Sequence, residues 1–163
     1  MIITSCDSVA QKKGKENEEH TTYYLIRHAE KDRSDAENRN PNLKTEGLER
    51  AERWAVYFSE IELDAVYSTE YNRTQQTAQP TATAQNLEIL SYDPTSLYDD
   101  AFAKANAGKT VLVVGHSNTT PAFANAILGT DQYPSMSDTD NASLYKVTIT
   151  AEGNSSEIIR VDQ

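Results

Sequence analysis

Hydrophobic and polar positions along the chain form blocks that predict strands and helices in alternation. Short apolar runs predict buried strands, whereas apolar residues three or four positions apart predict helices with one buried face. The predicted strands cover residues 23–26, 63–67, 87–92, 110–115, 144–150 and 156–161. The predicted helices are one that begins with Thr45 as its N-cap and three that cover 70–85, 97–106 and 118–128. This order predicts an α/β fold, a three-layer sandwich whose largely parallel central sheet has helices on both faces.

Three details of the pattern refine this picture. The run 110–115 is β-branched and apolar on both faces, as a central parallel strand should be. Pro80 lies inside a predicted helix and is expected to shift or kink it. Residues 131–141 are acidic and predict an irregular loop, which precedes a closing hairpin that turns around Gly153.

Composition and charge then exclude several classes of function. The 163 residues correspond to one domain with a tail, and 15 Lys and Arg against 25 Asp and Glu give a net charge of −10. Such an acidic surface repels phosphate-rich polymers, so we expect no nucleic-acid partner, although a small basic pocket remains compatible with it. No run in the sequence approaches the roughly 20 apolar residues of a membrane span. The single cysteine excludes an internal disulfide framework and a multi-cysteine zinc site.

The N-terminal segment has the composition of a flexible tether. Residues 1–21 are mostly polar and charged, which predicts a tether followed by a domain over 22–163. Cys6 follows Ser5 as at the end of a bacterial lipoprotein signal, but the basic and apolar parts of such a signal are missing. Two interpretations stay open. Cys6 is either a surface thiol of a cytoplasmic protein, or the lipidated membrane anchor of a cell-envelope lipoprotein whose gene product starts upstream.

Candidate chemistry follows the ends of two predicted strands, where open α/β sheets bind their ligands. Arg27 and His28 come directly after the first strand, and His116 follows the fourth. Arg73 lies in the first turn of a predicted helix, where backbone N–H groups also favour an anion. An arginine beside a histidine opposes a bound cation, so these residues favour a phosphate site over a metal site. Alone, Arg73 would more simply be a surface arginine paired with an acid.

Three segments together resemble the histidine phosphatase superfamily, also called the phosphoglycerate-mutase-like fold. Residues 25–31 match its Arg-His-Gly signature with Ala29 in place of glycine. Residues 67–78 match its two hydroxyl residues, arginine and Gln-Thr-Ala, and residues 111–118 match its strand that ends in Gly-His-Ser. The resemblance covers about 23–150 of the sequence. It implies the same three-layer fold and a phosphoryl-transfer enzyme that needs no metal or other cofactor.

The resemblance also implies roles for individual residues. His28 would be the nucleophile that forms a phosphohistidine, and His116 with Arg27 and Arg73 would surround the phosphoryl oxygens. Asn118 would donate a hydrogen bond to phosphate or merely cap a helix.

The general acid of the family usually follows the third strand. The family spacing makes Asp99 the first choice and Asp100 the second. Either carboxylate could instead only favour a helix N-terminus, where negative charge is stabilised.

The short stretch between the third and fourth strands resembles the small, capless phosphohistidine phosphatases. We therefore expect a hydrolase for phosphomonoesters or phosphohistidine, acting on a phosphorylated small molecule or a phosphoprotein. Two alternatives stay open: phosphoryl transfer of the phosphoglycerate-mutase type, and a non-catalytic module that binds phosphate or a phosphopeptide.

Overall fold

The computed structural model describes residues 20–162, in which strands and helices alternate before a closing hairpin. The strands are β1 (Thr21–Arg27), β2 (Ala65–Ser68), β3 (Ile89–Ser91), β4 (Thr110–Gly115), β5 (Ser143–Thr150) and β6 (Gly153–Arg160). The helices are α1 (Thr45–Phe58), α2 (Asn72–Ala84), α3 (Asp100–Asn106) and α4 (Thr119–Leu128). Every predicted strand and helix is therefore present, with ends that move by a few residues.

The six strands form one sheet in the order β3-β2-β4-β1-β5-β6. The first four of these run parallel to one another, and β5 pairs antiparallel with both β1 and β6. The predicted largely parallel sheet is confirmed. The two strands followed by the candidate histidines, β1 and β4, are neighbours at its centre, with Arg27 opposite Gly115.

Helices cover both faces of the sheet, which confirms the predicted three layers. On one face, α1 and α2 bury Trp54 and Phe58 against the sheet beside Val66 and Leu112. On the other face, Phe123 of α4 packs with the opposite side chains of β1 and β4 and with Phe102 of α3. Burying side chains of this size stabilises the fold by about 2 kcal/mol each. The strand ends that carry the candidate chemistry are thus held by both cores.

Several local predictions were wrong in detail. Lys44, not Thr45, occupies the N-cap position of α1, and Thr45 is the first helical residue. Pro80 lies inside α2, which continues past it to Ala84, and the expected kink stays a prediction. The third helix begins at Asp100 rather than at residue 97, and Asp99 caps it.

The predicted tether falls almost wholly outside the described residues. Residues 1–19, including Cys6, are among those that the structure does not describe, so the tether and its anchor stay predictions. Within residues 20–162, no helix combines the length and the apolar character that crossing a membrane requires.

Candidate functional site

The two candidate histidines meet in one cavity at the carboxyl edge of the sheet. The ring centroids of His28 and His116 are 5.6 Å apart. The cavity between them, called the histidine cavity below, has a volume of about 350 Å³. It is lined by Arg27, His28, Lys31, Tyr71, Arg73, Pro94, His116, Ser117, Asn118, Thr119 and Asp138. Parallel strands that end at one edge therefore bring together five of the seven predicted site residues, and leave out Asp99 and Asp100.

His28 is held as a neutral imidazole of one tautomer. Its side chain is only 4% exposed, and its backbone N–H donates to the carbonyl of Gly115 at 2.9 Å, just beyond β1. Nδ1 lies 2.7 Å from the carbonyl oxygen of Ala29. A carbonyl only accepts, so Nδ1 carries the proton and Nε2 keeps the lone pair. Burial, with the neighbouring Arg27 and His116 charges, lowers the pKa of His28 to about 3, so the ring is neutral and nucleophilic near pH 7.

Arg27 ties the histidine cavity to the loop before β5. Its side chain is 2% exposed, and Nη1 donates to the carbonyls of Ser137, Asp138 and Asp140 at 3.1, 3.1 and 2.9 Å. Nη2 lies 3.4 Å from the carboxylate of Asp138, and Nε has no partner among the described residues. Nη1 of the guanidinium therefore fixes the loop, Nη2 contacts Asp138, and Nε is the nitrogen left without a partner.

Arg73 is oriented by the first turn of α2 and by a tyrosine. Its Cζ lies 4.5 Å from the ring centroid of Tyr71, a cation–π contact, and Nη1 donates to the carbonyl of Arg39 at 3.4 Å. Burial lowers the pKa of Arg73, and the positive charge of Arg27 lowers it further. The two guanidinium groups thus repel each other across a cavity in which a phosphoryl dianion would attract both.

His116 is held by a buried hydroxyl. Its Nε2 lies 2.9 Å from Oγ1 of Thr69, which is fully buried and also lies 2.9 Å from Oγ1 of Thr74. Burial and the nearby Arg73 and Lys31 charges lower the pKa of His116 to about 4. Because Thr69 occupies Nε2, Nδ1 is the ring nitrogen left to meet a ligand. In the neutral ring, Nδ1 can donate to a phosphoryl oxygen only when the Thr69 hydroxyl donates to Nε2.

The N-terminus of α4 forms another wall of the histidine cavity. Asn118 occupies the N-cap position, but its side chain makes no capping hydrogen bond. The hydroxyl of Thr119 instead accepts from the backbone N–H of His116 at 2.9 Å. The exposed amide of Asn118 is therefore free of the capping role that the sequence also allowed, and it lines the cavity beside the positive end of a helix dipole.

The two predicted general acids do not reach the histidine cavity. Oδ1 of Asp99 accepts from the backbone N–H of Phe102 at 2.8 Å, and Oδ2 accepts from the hydroxyl of Ser96 at 3.2 Å. Asp100 is an exposed residue of the first turn of α3. Both carboxylates satisfy the start of a helix, the simpler interpretation that the sequence left open.

One acid does line the histidine cavity. Asp138 lies 3.0 Å from Nη2 of Arg33 and 3.4 Å from Nη2 of Arg27. The hydrogen bond and charge of Arg33, with a smaller effect of Arg27, lower the pKa of Asp138, so it is ionised at neutral pH. It therefore acts as a counter-charge rather than as a proton donor.

The Gln-Thr-Ala segment of α2 holds the loop that carries His28. The hydroxyl of Thr77 accepts from the backbone N–H of Ala29 at 2.9 Å, and Oε1 of Gln76 accepts from that of Leu43 at 2.7 Å. Asn141, which sequence reasoning missed, donates from Nδ2 to the carbonyl of His28 at 3.0 Å. These contacts fix the backbone on both sides of the imidazole.

Within residues 20–162, no group of three or more His, Cys, Asp or Glu side chains could hold a metal ion. The positive charge of the histidine cavity comes instead from Arg27, Lys31 and Arg73, which line it.

Comparisons with known proteins agree with this geometry. The model of the histidine phosphatase superfamily (branch 1) matches residues 23–94, which include β1, α1, β2, α2 and β3. A search of curated proteins gives no match.

Many solved structures share the fold. The protein histidine phosphatase SixA complexed with tungstate is 16% identical, with a TM-score of 0.67 over 85% of this chain and 96% of that one. Phosphoglycerate mutase from Bacillus anthracis is 15% identical, with a TM-score of 0.65 over 89% of this chain and 95% of that one. Mycobacterial glucosyl-3-phosphoglycerate phosphatase is 12% identical, with a TM-score of 0.62 over 88% and 99%.

Because these identities are low, the solved structures support the fold alone. The family model supports the similarity of the segments that carry Arg27, His28 and Arg73. Residues 23–94, which carry Arg27, His28 and Arg73, are thus similar to the histidine phosphatase superfamily (branch 1), and the chain shares its fold with the solved structures.

Proposed function

We propose that the chain is a phosphatase that hydrolyses phosphomonoesters or phosphohistidine through a covalent intermediate on His28. The observation that carries the proposal is the state of this histidine. Its Nδ1 donates to the Ala29 carbonyl, its pKa is lowered to about 3, and its Nε2 lone pair is unprotonated in a cavity lined by Arg27 and Arg73. Such an imidazole is a nucleophile at neutral pH without any base to activate it.

The reaction would take place in two displacements. The lone pair on Nε2 of His28 attacks phosphorus, a P–N bond forms, and the bond from phosphorus to the leaving group breaks. The leaving group keeps that electron pair and takes a proton from solvent. Water then attacks the phosphorus, its proton passes to solvent, and the P–N electron pair returns to Nε2 as phosphate departs.

The cationic residues act on the transferred group. Arg27, Arg73 and Nδ1 of His116 would donate to the equatorial oxygens of the phosphoryl group, on which charge is spread in the transition state. Asn118 would add a neutral donor at the N-terminus of α4. Most of the rate enhancement would come from this fixed arrangement rather than from proton transfer.

The carboxylates near the histidine cavity are not placed to donate a proton, which favours substrates with good leaving groups. Among the described residues, Asp138 is the one carboxylate that lines the histidine cavity, and it is held ionised by Arg33. Asp99 caps α3 through Phe102 instead. A leaving imidazole, whose ordinary pKa is about 6.5, or a phenol needs less help from an acid than an alkyl alcohol does. This supports phosphohistidine and aryl phosphates over alkyl phosphates as substrates.

The architecture supports hydrolysis on an accessible phosphoryl group. Between β3 and β4 the chain contains one short helix, α3 (Asp100–Asn106), and no further element that could enclose a small substrate. The histidine cavity is bordered by exposed residues such as Tyr71 and Asn118. A phosphoprotein side chain can enter such a site, whereas a mutase must retain its intermediate between two transfers.

A phosphate-release assay tests the proposal. We expect the purified protein to hydrolyse an aryl phosphate and a phosphohistidine peptide, and His28→Ala to lose at least about a thousandfold of the rate, because the nucleophile is absent. Quenching with an alkaline denaturant during turnover should trap a base-stable phosphate on His28, which later acid treatment should release.

The other candidate functions give different results in the same assay. Equal residual rates in wild type and His28→Ala would contradict the enzyme, and saturable phosphate binding without trapped phosphate would indicate a binding module. Transfer of the trapped group to an added phosphoglycerate rather than to water would indicate a mutase.

A further inference from the structure

Two further cavities share lining residues with the histidine cavity, and one of them is acidic whereas the other is basic. A cavity of about 530 Å³ shares Tyr71 and Pro94 with it, and its charged residues are Glu70 and Asp93. Another, of about 700 Å³, shares Lys31, Tyr71 and Arg73 with it and is called the basic side cavity below. A substrate bound at His28 can therefore extend toward an acidic or a basic wall.

The basic side cavity carries positive charge that its own residues do not neutralise. It is lined by Lys31, Arg39 and Arg73, against the one acid Glu37. Elsewhere around the site cations are paired, as Arg33 is with Asp138 at 3.0 Å. Neither Lys31 nor Arg39 forms an ion pair with another residue of the range that the structure describes. This contrast is notable in a chain of net charge −10, where acids outnumber bases.

Lys31 lies at the junction of the two cavities. It is half-buried, and burial followed by the charges of Arg73, Arg33 and Arg27 lowers its pKa. A cation placed among cations raises the free energy of the empty site, and a bound anion relieves that cost. In the proposed reaction the phosphoryl dianion pairs with Arg27 and Arg73. Lys31 and Arg39 are then available to a second negative group.

The wall that carries Arg39 is fixed by backbone and amide hydrogen bonds. Asp32 donates from its N–H to the carbonyl of Asn42 at 2.8 Å, which closes the loop at its base. The amide of Asn40 accepts from the backbone N–H of Asn72 at 2.8 Å, and Arg73 donates to the carbonyl of Arg39. The backbone of Arg39 is thus held against the first turn of α2, next to the guanidinium that faces the phosphoryl group.

We propose that Lys31 and Arg39 bind a second anionic group of the substrate, a carboxylate or phosphate outside the transferred phosphoryl group. This inference rests on the proposed phosphatase function and narrows its substrates to phosphoesters or phosphoramidates with an additional negative charge. An acidic residue beside a phosphorylated side chain and a small dianionic metabolite share this chemistry.

The test compares two aryl phosphates of equal size, 4-carboxyphenyl phosphate and 4-carbamoylphenyl phosphate. The ratio of their kcat/KM values is measured for wild type, Lys31→Gln, Arg39→Gln and the double variant. We expect each single substitution to lower the ratio of kcat/KM for the carboxylate substrate to kcat/KM for the amide substrate about two- to fivefold. The double variant should lower this ratio further. Differences in leaving-group reactivity cancel, because every variant meets the same two substrates.

Lys109→Gln is the matched control. Lys109 is an exposed lysine just before β4, at the opposite end of that strand from His116, so its loss removes the same charge without changing the ratio. Added salt should lower the ratio of wild type toward that of the double variant.

The outcomes separate the two proposals. If both substrates react through His28 and the ratio is the same in wild type and the double variant, the second anion site is wrong while the phosphatase stands. If neither substrate reacts through His28, the proposed function fails and this inference fails with it. A peptide series with an acidic or neutral neighbour of phosphohistidine then distinguishes a protein substrate from a small one.

Discussion

Single hydrogen bonds determine which ring nitrogen of His28 and of His116 is available to a ligand. The Ala29 carbonyl fixes the proton of His28 on Nδ1, and the Thr69 hydroxyl meets Nε2 of His116. Burial keeps both rings neutral. In the proposed reaction both rings carry their proton on Nδ1, and they differ in the nitrogen that meets the phosphoryl group, Nε2 in His28 and Nδ1 in His116.

Removing the hydroxyl of Thr69 should therefore change the rate more than the fold. Thr69→Val keeps the shape of the side chain but leaves Nε2 of His116 without its partner, a loss of roughly 1–3 kcal/mol. We expect kcat/KM for an aryl phosphate to fall about tenfold or more.

Thr69→Ser, which keeps the hydroxyl, is the control and should recover most of the rate. Nitrogen chemical shifts of His116 should report a change of tautomer in Thr69→Val alone. A rate loss of equal size in the serine and valine variants would contradict a positioning role.

The buried neutral histidines should also make the protein sensitive to acid. The folded-state pKa values of His28 and His116, about 3 and about 4, lie below the ordinary value of 6.5. Between these limits the unfolded chain binds more protons than the folded one, so stability falls as the pH falls from about 6.5 toward 3.

Thermal unfolding measured from pH 7 to pH 4 checks this expectation. We expect Tm to decrease with pH, and to decrease less steeply in His28→Gln, which has no proton to gain. Parallel curves for wild type and His28→Gln would mean that the His28 imidazole is not buried in its neutral form.

At the scale of elements, the start of α3 explains why a promising acid is absent from the cavity. The resemblance to the family made Asp99 the first choice for the general acid, yet its Oδ1 accepts from the backbone N–H of Phe102 at the N-cap position. An aspartate can serve either role, and in this structure Asp99 caps α3.

Substitutions at Asp99 distinguish the two roles. If the carboxylate only caps α3, Asp99→Ala costs about 1 kcal/mol of stability, whereas Asp99→Asn, which retains a capping oxygen, costs little. We further expect the dependence of the rate on leaving-group pKa to be the same in Asp99→Asn and wild type. A rate loss in Asp99→Asn that grows with the leaving-group pKa would restore Asp99 as the proton donor.

The sequence was sufficient for the elements and for the residues that directly follow strands. Apolar runs such as 110–115 predict a buried strand, and its end directly places His116 at the carboxyl edge. The starts of α1 and α3 were mispredicted, because the N-cap positions of Lys44 and Asp99 depend on backbone angles that the sequence pattern does not give. Asp138 and Asn141 could not be predicted, since they meet Arg27 and His28 across more than a hundred residues of sequence.

At the scale of the whole molecule, Arg27 both lines the histidine cavity and holds the loop before β5 in place. Its Nη1 binds three carbonyls of the loop before β5, so this guanidinium connects the central strand β1 to the antiparallel part of the sheet. Arg73, by contrast, is half-buried and donates to the single carbonyl of Arg39. Loss of either arginine should weaken phosphate binding, but their effects on stability should differ.

Arg27→Gln should therefore be far more destabilising than Arg73→Gln. We expect a loss of about 3–5 kcal/mol in the free energy of unfolding for Arg27→Gln, because it orphans buried carbonyls, and less than about 1 kcal/mol for Arg73→Gln. Denaturant titration of the two variants checks this. Similar midpoints would show that Arg27 acts only on the ligand.

The position of β3 at the edge of the sheet has a consequence for how such a protein can diversify. The segment that follows it, including the exposed turn at Asp93 and Thr95, can lengthen without changing the register in which β1 and β4 present their histidines. New chain inserted there would lie over the cavity and filter what enters it. Substrate range can thus evolve, or be engineered, by grafting a lid at this turn while the reacting groups stay where they are.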